Sequence, residues 1–339
     1  MAIEQRAFPG ASIAIAHSGR LIAKKAFGRF TYDAASPQVT PQTVYDLASL
    51  TKVAATTAAC MILYQRGQLD LEQRVRDVVP AFSGEDSRRN LITFRMLLAH
   101  SSGLPAYVKL FESSHTRHEL FRQACQVPLA HDPGSHAEYS DIGFILLGEA
   151  LERITETALD AFCCQEVFAP LGLETMTFNP SPDQREKIPP TEDDKILRHR
   201  VIQGEVNDEN AWVMGGVGGH AGLFSTASDV ALFAQCMLRG GAPLWDLHTV
   251  EVFTRRQTTP AGTSRALGWD TPSPPSQSGR YFSPRSYGHL GFTGTSLWID
   301  PQHQLSVTLL TNRTWPDRGS QAIKQVRPAF HNAVIEALK

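Results

Sequence analysis

A serine and a lysine stand three residues apart in the stretch "DLASLTK", directly before a long apolar run. Residues three apart share one face of a helix, so the side chains of Ser49 and Lys52 are expected to lie side by side. Burial favours the uncharged form of a lysine, and a neutral amine can accept the proton of a serine hydroxyl. The pair therefore predicts a nucleophilic serine with its base within reach.

The same spacing also has a purely structural interpretation. Ser49 could cap the helix, and Lys52 could run along the apolar surface until its ammonium reaches water. A Ser-x-x-Lys spacing arises easily by chance, so the choice between the two interpretations depends on the rest of the chain.

Two further stretches supply groups that a catalytic serine needs, namely a proton donor, oxyanion donors and a substrate anchor. In "EYSDIGF", Tyr139 could shuttle protons, and Asp141 stands at the expected N-cap of the next helix. In "YGHLGFTGTSLWID", His289 could hold a substrate carboxylate or hydroxyl, and Gly291 and Gly294 indicate close approach of the backbone to a ligand. Capping, packing and a sheet corner explain the same residues equally simply.

The elements that hold these residues follow from the hydrophobic pattern. Residues 10–28 alternate on both sides of "HSGR", which predicts a hairpin, and the apolar run that follows Ser49 predicts a helix. Helical patterns fill most of residues 70–215, with a polar surface segment expected at 179–210. Strand patterns return at "RALGWD", "SYGHLGFTGTSLWID" and "QLSVTLLTNR", before a closing helix that contains Pro328.

Strands at both ends and helices between them predict an α+β fold. We expect one antiparallel sheet formed by both termini, with flanking helices and an inserted all-helical domain. The sheet domain is predicted to comprise residues 1–68 and 216–339, and the mostly helical domain residues 69–215. The active site is then expected in the cleft between the two domains.

Composition narrows the classes of partner. The chain has 339 residues, 42% of them hydrophobic, and a formal net charge of -2, which is typical of a globular protein. This charge balance shows none of the excess of basic residues that is typical of nucleic-acid-binding proteins. No apolar run reaches the roughly 20 residues of a membrane span. A small-molecule or short-peptide substrate is the expected partner, and the oligomeric state stays open.

Cysteine, histidine and glycine patterns give no sign of a metal or organic cofactor, and none is expected. The five cysteines show no CxxC spacing, which favours reduced thiols and a cytoplasmic location. The stretch "MAIEQRAFPG" lacks the pattern of a secretory signal, although a truncated sequence would allow a periplasmic or secreted protein. His115 and His118 form the best metal-like pair, but an exposed helix face explains them better.

The three stretches, in their order along the chain, resemble the three motifs of the penicillin-recognising serine hydrolases. The most similar branch is the class C β-lactamase-like group, which includes D,D-peptidases, D-aminopeptidases and carboxylesterases. The stretches "FPGASIAIAHSGRLI", "ITFRMLLAHSSGLP" and "GGHAGLFSTASDVALFA" are also similar to phrases of that group, so the resemblance spans nearly the whole chain. It implies a β-lactamase/transpeptidase-like fold.

Transferred position by position, the resemblance assigns the catalytic roles. It implies that Ser49 is the acylated nucleophile, Lys52 its base or proton relay, and Tyr139 the second general base and acid. The oxyanion hole would consist of the backbone N–H groups of Ser49 and Phe292, and Gly291 would contribute to substrate binding.

Two residues depart from the family pattern. Asp141 stands where asparagine is usual, and an ionised carboxylate can only accept hydrogen bonds, so it would favour a substrate donor or hold Lys52 as an ammonium. His289 stands where β-lactamases usually have lysine, and histidine is the weaker carboxylate anchor near neutral pH. This second departure argues against efficient β-lactam turnover.

The sequence therefore predicts a serine hydrolase that forms a covalent acyl-enzyme with amide or ester carbonyls, on D-amino-acid peptides or β-lactams. A carboxylesterase of small esters is one alternative on the same fold. A catalytically silent binding module is the other, but such a module would have lost the serine, the lysine or the tyrosine. An α/β-hydrolase would need a G-x-S-x-G motif, which the sequence lacks.

Overall fold

The computed structural model describes residues 2–339, and a five-stranded antiparallel sheet lies at its centre. The strands are β1 (Gly10–His17), β2 (Arg20–Gly28), β3 (Tyr45–Asp46), β4 (Thr177–Phe178), β5 (Glu192–Asp194), β6 (Arg200–Ile202), β7 (Leu223–Ser225), β8 (Tyr287–Leu290), β9 (Ser296–Asp300) and β10 (Leu305–Thr311). The central sheet has the order β2-β1-β10-β9-β8, so both ends of the chain build it, as predicted.

Twelve α-helices are found within the described residues. They are α1 (Ala58–Gln65), α2 (Val75–Val78), α3 (Phe94–Leu98), α4 (Arg117–Gln126), α5 (Asp141–Thr155), α6 (Leu159–Cys163), α7 (Ala169–Leu171), α8 (Pro182–Arg185), α9 (Glu209–Val213), α10 (Ala227–Leu238), α11 (Leu247–Thr254) and α12 (Ile323–Glu336). Over the same residues, no helix is long and apolar enough to cross a lipid bilayer.

The central sheet is covered on both faces, which explains why its inner strands are buried almost throughout. Strand β1 is buried along nearly its whole length, whereas the edge strand β2 is largely exposed. Helix α12 packs on one face, where Ile335 joins Ile13 and Val307 in an apolar cluster. Helix α10 packs against β10 and β1 on the other face. Such two-sided covering makes the sheet a rigid support.

The hairpin predicted at residues 10–28 is confirmed by the pairing of β1 with β2. Its turn lies at Ser18 and Gly19, which both have positive φ angles of 49° and 78°. The long helix after the tyrosine motif is also confirmed as α5. The stretch "RALGWD" differs from the prediction, because Arg265 and Asp270 form only isolated bridges and no strand.

The segment between residues 69 and 215 is mostly helical but holds three short strands, β4 to β6. The stretch at 179–210 was expected to be a surface excursion, yet Glu192 and Asn207 within it are buried and hydrogen-bonded to each other. The backbone N–H of Asn207 donates to the Asp46 carboxylate at 2.7 Å, so this stretch packs beside the serine motif. The division into two domains stays a prediction.

Candidate active site

The serine motif lies at a tight turn before the first long helix. Ser49 belongs to a single 3-10 turn, Ala48–Leu50, and a π-helical segment, Lys52–Thr57, then leads into α1. Ala48 has a positive φ of 48°, which is uncommon for a residue with a side chain. Its N–H donates to the Asp46 carboxylate at 2.8 Å, which fixes this strained backbone in place. Ser49 is thus held on a rigid turn that faces a cleft.

Lys52 is completely buried, and three acceptors surround its side-chain nitrogen. Its Nζ donates to Ser49 Oγ at 3.0 Å and to the backbone carbonyl oxygen of His220 at 2.9 Å. It also forms an ion pair with Asp141 Oδ1 at 2.7 Å. The predicted proximity of Ser49 and Lys52 is therefore present, and a lysine that reaches out to water is ruled out.

The protonation of this pair differs from the expectation. Burial would lower the pKa of Lys52, but the Asp141 carboxylate and the Tyr139 hydroxyl outweigh burial and raise that pKa above its ordinary value. Lys52 is therefore an ammonium at rest, and the neutral amine expected from the sequence is wrong for this state. Burial also raises the pKa of Tyr139 to about 12, although Lys52 lowers it.

Tyr139 lies directly above the serine. Its hydroxyl donates to Ser49 Oγ at 2.7 Å, and Lys52 Nζ lies 4.9 Å from the centre of its ring. The tyrosine comes just before α5, whose N-cap is Ser140: the Ser140 hydroxyl accepts from the N–H of Gly143 at 3.2 Å. The expectation that Asp141 is the N-cap is thus wrong by one residue.

His100 holds Tyr139 in place, a role that sequence reasoning missed. Its Nδ1 accepts from the N–H of Ser140, and its carbonyl oxygen accepts from the N–H of Glu138, both at 2.9 Å. Its ring lies against that of Tyr139, with 4.7 Å between the ring centres. The positive φ of His100, 55°, is a further mark of a constrained position. The stretch "ITFRMLLAHSSGLP" shows a similarity to the family, but nothing in it points to a tyrosine far along the chain.

His289 is in the cleft but cannot serve as the cationic anchor that was considered for it. Its Nδ1 lies 2.8 Å from the carbonyl oxygen of Leu290, which can only accept, so Nδ1 carries the proton. Burial and the nearby Lys52 hold the pKa of His289 well below its usual range. The ring is therefore neutral, and its buried Nε2 is an unpartnered acceptor that suits a substrate donor.

The glycine-rich turn after β8 touches the serine motif from the other side. A Cβ atom at Gly291 would lie 1.9 Å from Thr295 Oγ1 and 2.5 Å from the carbonyl oxygen of Leu47, so only glycine fits there. The hydroxyl of Thr295 donates to that same carbonyl at 2.9 Å. Phe292 follows in the turn and lines the cleft, as does Ser49. The oxyanion hole formed by their backbone N–H groups stays a prediction.

His220 contacts the lysine through its backbone. Its Nε2 is 2.8 Å from Asp208 Oδ1, and its backbone carbonyl receives the bond from Lys52. Burial would raise the pKa of Asp208, but His220 beside it outweighs burial and lowers that pKa. This pair had no sequence signal beyond the glycine-rich stretch "GGVGGHAG".

The cleft above these residues has a volume of about 700 Å³ and contains Ser49, Tyr139, Asp141 and His289. Arg265 also lines it, with a guanidinium nitrogen 3.7 Å from Asp270 Oδ1, a distance that leaves the cation available to a ligand. The metal-like pair is elsewhere: His115 and His118 are exposed and do not line the cleft. Within residues 2–339, no cluster of side chains could hold a metal ion.

Comparison with known proteins identifies the family. The family model described as "Beta-lactamase" matches residues 2–329. This chain belongs to the β-lactamase family. The β-lactamase/transpeptidase-like fold predicted from the motifs is thereby confirmed, and the chain is a serine hydrolase of this family.

Individual members of the β-lactamase family give the same picture. The chain is 34% identical to the N-acetylmuramyl-L-alanine amidase of Bacillus subtilis (strain 168), over 90% of this chain and 77% of that protein. It is 35% identical to a protein of Salmonella heidelberg (strain SL476) provisionally named D-alanyl-D-alanine carboxypeptidase, over 90% and 79% of the two chains. The octameric penicillin-binding protein homologue from Pyrococcus abyssi has the same fold, with a TM-score of 0.76, 20% identity and coverage of 99% and 75%.

Proposed function

We propose that this protein cleaves amide bonds of short D-alanyl peptides through an acyl-enzyme formed on Ser49. The observation that carries the proposal is that Lys52 Nζ and the Tyr139 hydroxyl both lie within hydrogen-bond distance of Ser49 Oγ, at 3.0 Å and 2.7 Å. A hydroxyl with two proton-carrying partners at a cleft has what nucleophilic catalysis requires.

In the proposed reaction, Ser49 Oγ attacks the substrate carbonyl carbon and its proton enters the Lys52–Tyr139 network. The backbone N–H groups of Ser49 and Phe292 stabilise the oxyanion, and one such donor is worth roughly 3 kcal/mol. Tyr139 then gives a proton to the leaving amine, and water releases the acyl group by the reverse sequence. Asp141, His289 and Gly291 are proposed to contact the substrate.

The substrate class is proposed from the names of the relatives and from the charges of the cleft. One relative is named an amidase and the other a D-alanyl-D-alanine carboxypeptidase, so both names describe amide bonds of D-alanyl or muramyl compounds. A peptide with a free carboxylate needs a cation in the cleft. His289 is neutral, so we propose that Arg265 takes this role.

The division of the chain into two domains is also a proposal. We propose that the cleft separates the sheet domain, residues 1–68 and 216–339, from the helical domain, residues 69–215. Support comes from the lining, to which Ser49, Asp208 and His289 contribute from the three parts of the chain. The cytoplasmic location expected from the cysteines stays a prediction.

One panel on one preparation tests the substrate class. The wild type and Ser49→Ala are incubated with an acyl-D-alanyl-D-alanine peptide, a p-nitrophenyl ester and the β-lactam nitrocefin. We expect release of D-alanine by the wild type, slow or no turnover of nitrocefin, and no activity of Ser49→Ala. Hydrolysis of the ester alone would contradict the peptidase proposal in favour of a carboxylesterase, and no turnover of any substrate would favour a binding module.

A further inference from the structure

The three acceptors around Lys52 differ in what they can do with a proton. The His220 acceptor is a backbone carbonyl, which holds no proton near neutral pH, and Ser49 is the group that has to lose one. The third acceptor is Asp141 Oδ1, at 2.7 Å from Lys52 Nζ. Among the groups in contact with the ammonium, this carboxylate is therefore the one that can be protonated.

The resting site lacks a free base next to the serine. An ammonium has no lone pair, so Lys52 cannot take the Ser49 proton unless it gives up one of its own. Tyr139 donates its hydroxyl hydrogen to Ser49 in this geometry, and at neutral pH it keeps that hydrogen. Acylation therefore requires a proton to leave the Ser49–Lys52–Tyr139 group as a whole.

We propose that Asp141 is the terminal proton acceptor of acylation and is reached through Lys52, a role that rests on the proposed function. As the Ser49 Oγ–carbon bond forms, the Ser49 proton moves to Lys52 Nζ and one Lys52 proton moves to Asp141 Oδ1. The electron pair of the carbonyl π bond moves onto the oxyanion. Lys52 remains an ammonium, and Asp141 becomes a carboxylic acid.

The protons return along the same residues when the leaving group departs. When the tetrahedral intermediate collapses, the bond to the leaving nitrogen or oxygen breaks with its electron pair. Asp141 returns its proton to Lys52, Lys52 passes one to Tyr139, and the tyrosine hydroxyl protonates the leaving group. All three side chains are then in their starting states, ready for deacylation by water.

The other ionisable groups near Lys52 do not replace Asp141. The groups that face the ammonium from neighbouring elements are Asp141, Tyr139, Asp208, His100 and His289. Burial keeps the pKa values of both histidines well below the usual range, so neither is charged near neutral pH. Asp208 is bonded to His220 and to the N–H of Ala211, and it makes no direct contact with Lys52.

A relay through Asp141 and a static counter-ion predict opposite pH profiles. A relay works with the ammonium–carboxylate pair, so its rate does not increase when alkaline pH removes the Lys52 proton. A static counter-ion merely holds Lys52 as an ammonium, and acylation would then increase as alkaline pH removes the Lys52 proton. Replacing the Asp141 carboxylate with an amide distinguishes the two cases. Loss of the negative charge lowers the pKa of Lys52, and the amide cannot accept a proton from Lys52.

The experiment measures the rate of Ser49 labelling by a fluorophosphonate, a probe without an ionisable group, from about pH 3.5 to about pH 10.5, a range that reaches the ordinary pKa values of aspartate and lysine. The full-length wild type is compared with Asp141→Asn and with Asp160→Asn. The control changes an aspartate in the first turn of α6, away from the cleft. Melting curves confirm that each variant is folded over the range.

The relay predicts that wild-type labelling is flat across neutral pH and declines only in acid. In Asp141→Asn, the decrease in labelling rate toward acid should begin at a higher pH than in the wild type. Labelling should be at least ~10-fold slower than in the wild type near pH ~5.5. The reason is that each pH unit below the pKa of Lys52 lowers the fraction of neutral amine by a factor of ~10. Asp160→Asn should follow the wild type.

Two results would overturn the relay alone: a wild-type rate that increases steadily into alkaline pH, or an Asp141→Asn variant that is labelled as fast as the wild type in acid. The first needs no variant, so it decides even if Asp141→Asn is poorly folded. Absence of any Ser49 adduct in the folded wild type would contradict the proposed function itself, and the relay with it.

Discussion

At the residue scale, the central feature is a buried ammonium that donates hydrogen bonds to Ser49 and to the His220 carbonyl oxygen and forms an ion pair with Asp141. The sequence predicted the contact between Ser49 and Lys52, because a spacing of three residues fixes it locally. It could not settle the charge of Lys52, which depends on a contact with Asp141 that only the tertiary structure creates. The neutral state of His289 was missed for the same reason, since burial is a property of the fold.

His100 gives a prediction at this scale. It is a positioning residue, since it binds the backbone on both sides of Tyr139 and does not line the cleft. Replacing it with leucine should lower kcat by roughly 10- to 100-fold with little change in KM, because a small displacement of a catalytic group is costly. Steady-state kinetics of ester or peptide hydrolysis measure this.

The matched variant is His100→Asn. Its amide oxygen can take the place of Nδ1 as acceptor for the Ser140 N–H, and asparagine tolerates the positive φ found here. We expect it to recover most of the kcat lost in His100→Leu. Equal losses in the two variants at equal melting temperatures would contradict a role through this hydrogen bond.

At the scale of elements, the sequence predicted the types better than the details. Period-two alternation predicted β1 and β2, and a strong amphipathic pattern predicted α5, because both are local properties. The pattern in "RALGWD" was too short to distinguish a strand from a turn with isolated bridges. The burial of Asn207 beside the serine motif depends on its bond to Asp46, which no local pattern reveals.

The contact between the β8–β9 turn and the serine motif leads to an element-scale prediction. The variant Gly291→Ala should lower stability by about 1–3 kcal/mol and turnover by more than ~10-fold, because its Cβ would push the turn away from Leu47 and the serine motif. Thermal unfolding and kcat measure the two effects.

Gly84→Ala is the control for that variant, since the nearest atom to its added Cβ would be 3.8 Å away. It should be close to the wild type in both measurements. If Gly291→Ala were as active as Gly84→Ala, the turn would not support the geometry of the nucleophile.

At the scale of the whole molecule, the order of strands and helices was sufficient to predict a sheet built by both termini. The three motifs converge because this sheet, the first helix and α5 meet at one cleft. The short strands of the inserted segment could not be predicted, since two or three residues carry almost no periodic signal. Strand β4 pairs with β7, which is distant in sequence, whereas β5 and β6 pair with each other across a short connection.

Buried histidines give a prediction for the stability of the whole molecule. His331 lies in α12, fully buried, and burial lowers its pKa from 6.5 to about 4. The folded state then keeps the imidazole neutral while the unfolded chain protonates it below pH 6.5, so stability is lost as pH decreases from about 6.5 to 4. This residue alone accounts for about 3 kcal/mol of that loss.

Denaturant unfolding at pH values on both sides of this window measures the effect. Across the window, the free energy of unfolding of His331→Gln should change by about 3 kcal/mol less than that of the wild type, whatever the absolute stability of the variant. Replacing the exposed His115 with glutamine should leave the pH dependence as in the wild type. Identical dependence in all three proteins would contradict the prediction.

The most direct test of the account is to locate a covalent adduct. The wild type, Ser49→Ala and Lys52→Ala are treated with a fluorophosphonate, and intact-mass analysis and peptide mapping follow. We predict one adduct per wild-type chain, on Ser49, none on Ser49→Ala, and labelling slower by orders of magnitude in Lys52→Ala. A folded wild type that remains unmodified, or carries the label on another residue, would contradict the proposal that Ser49 is the nucleophile.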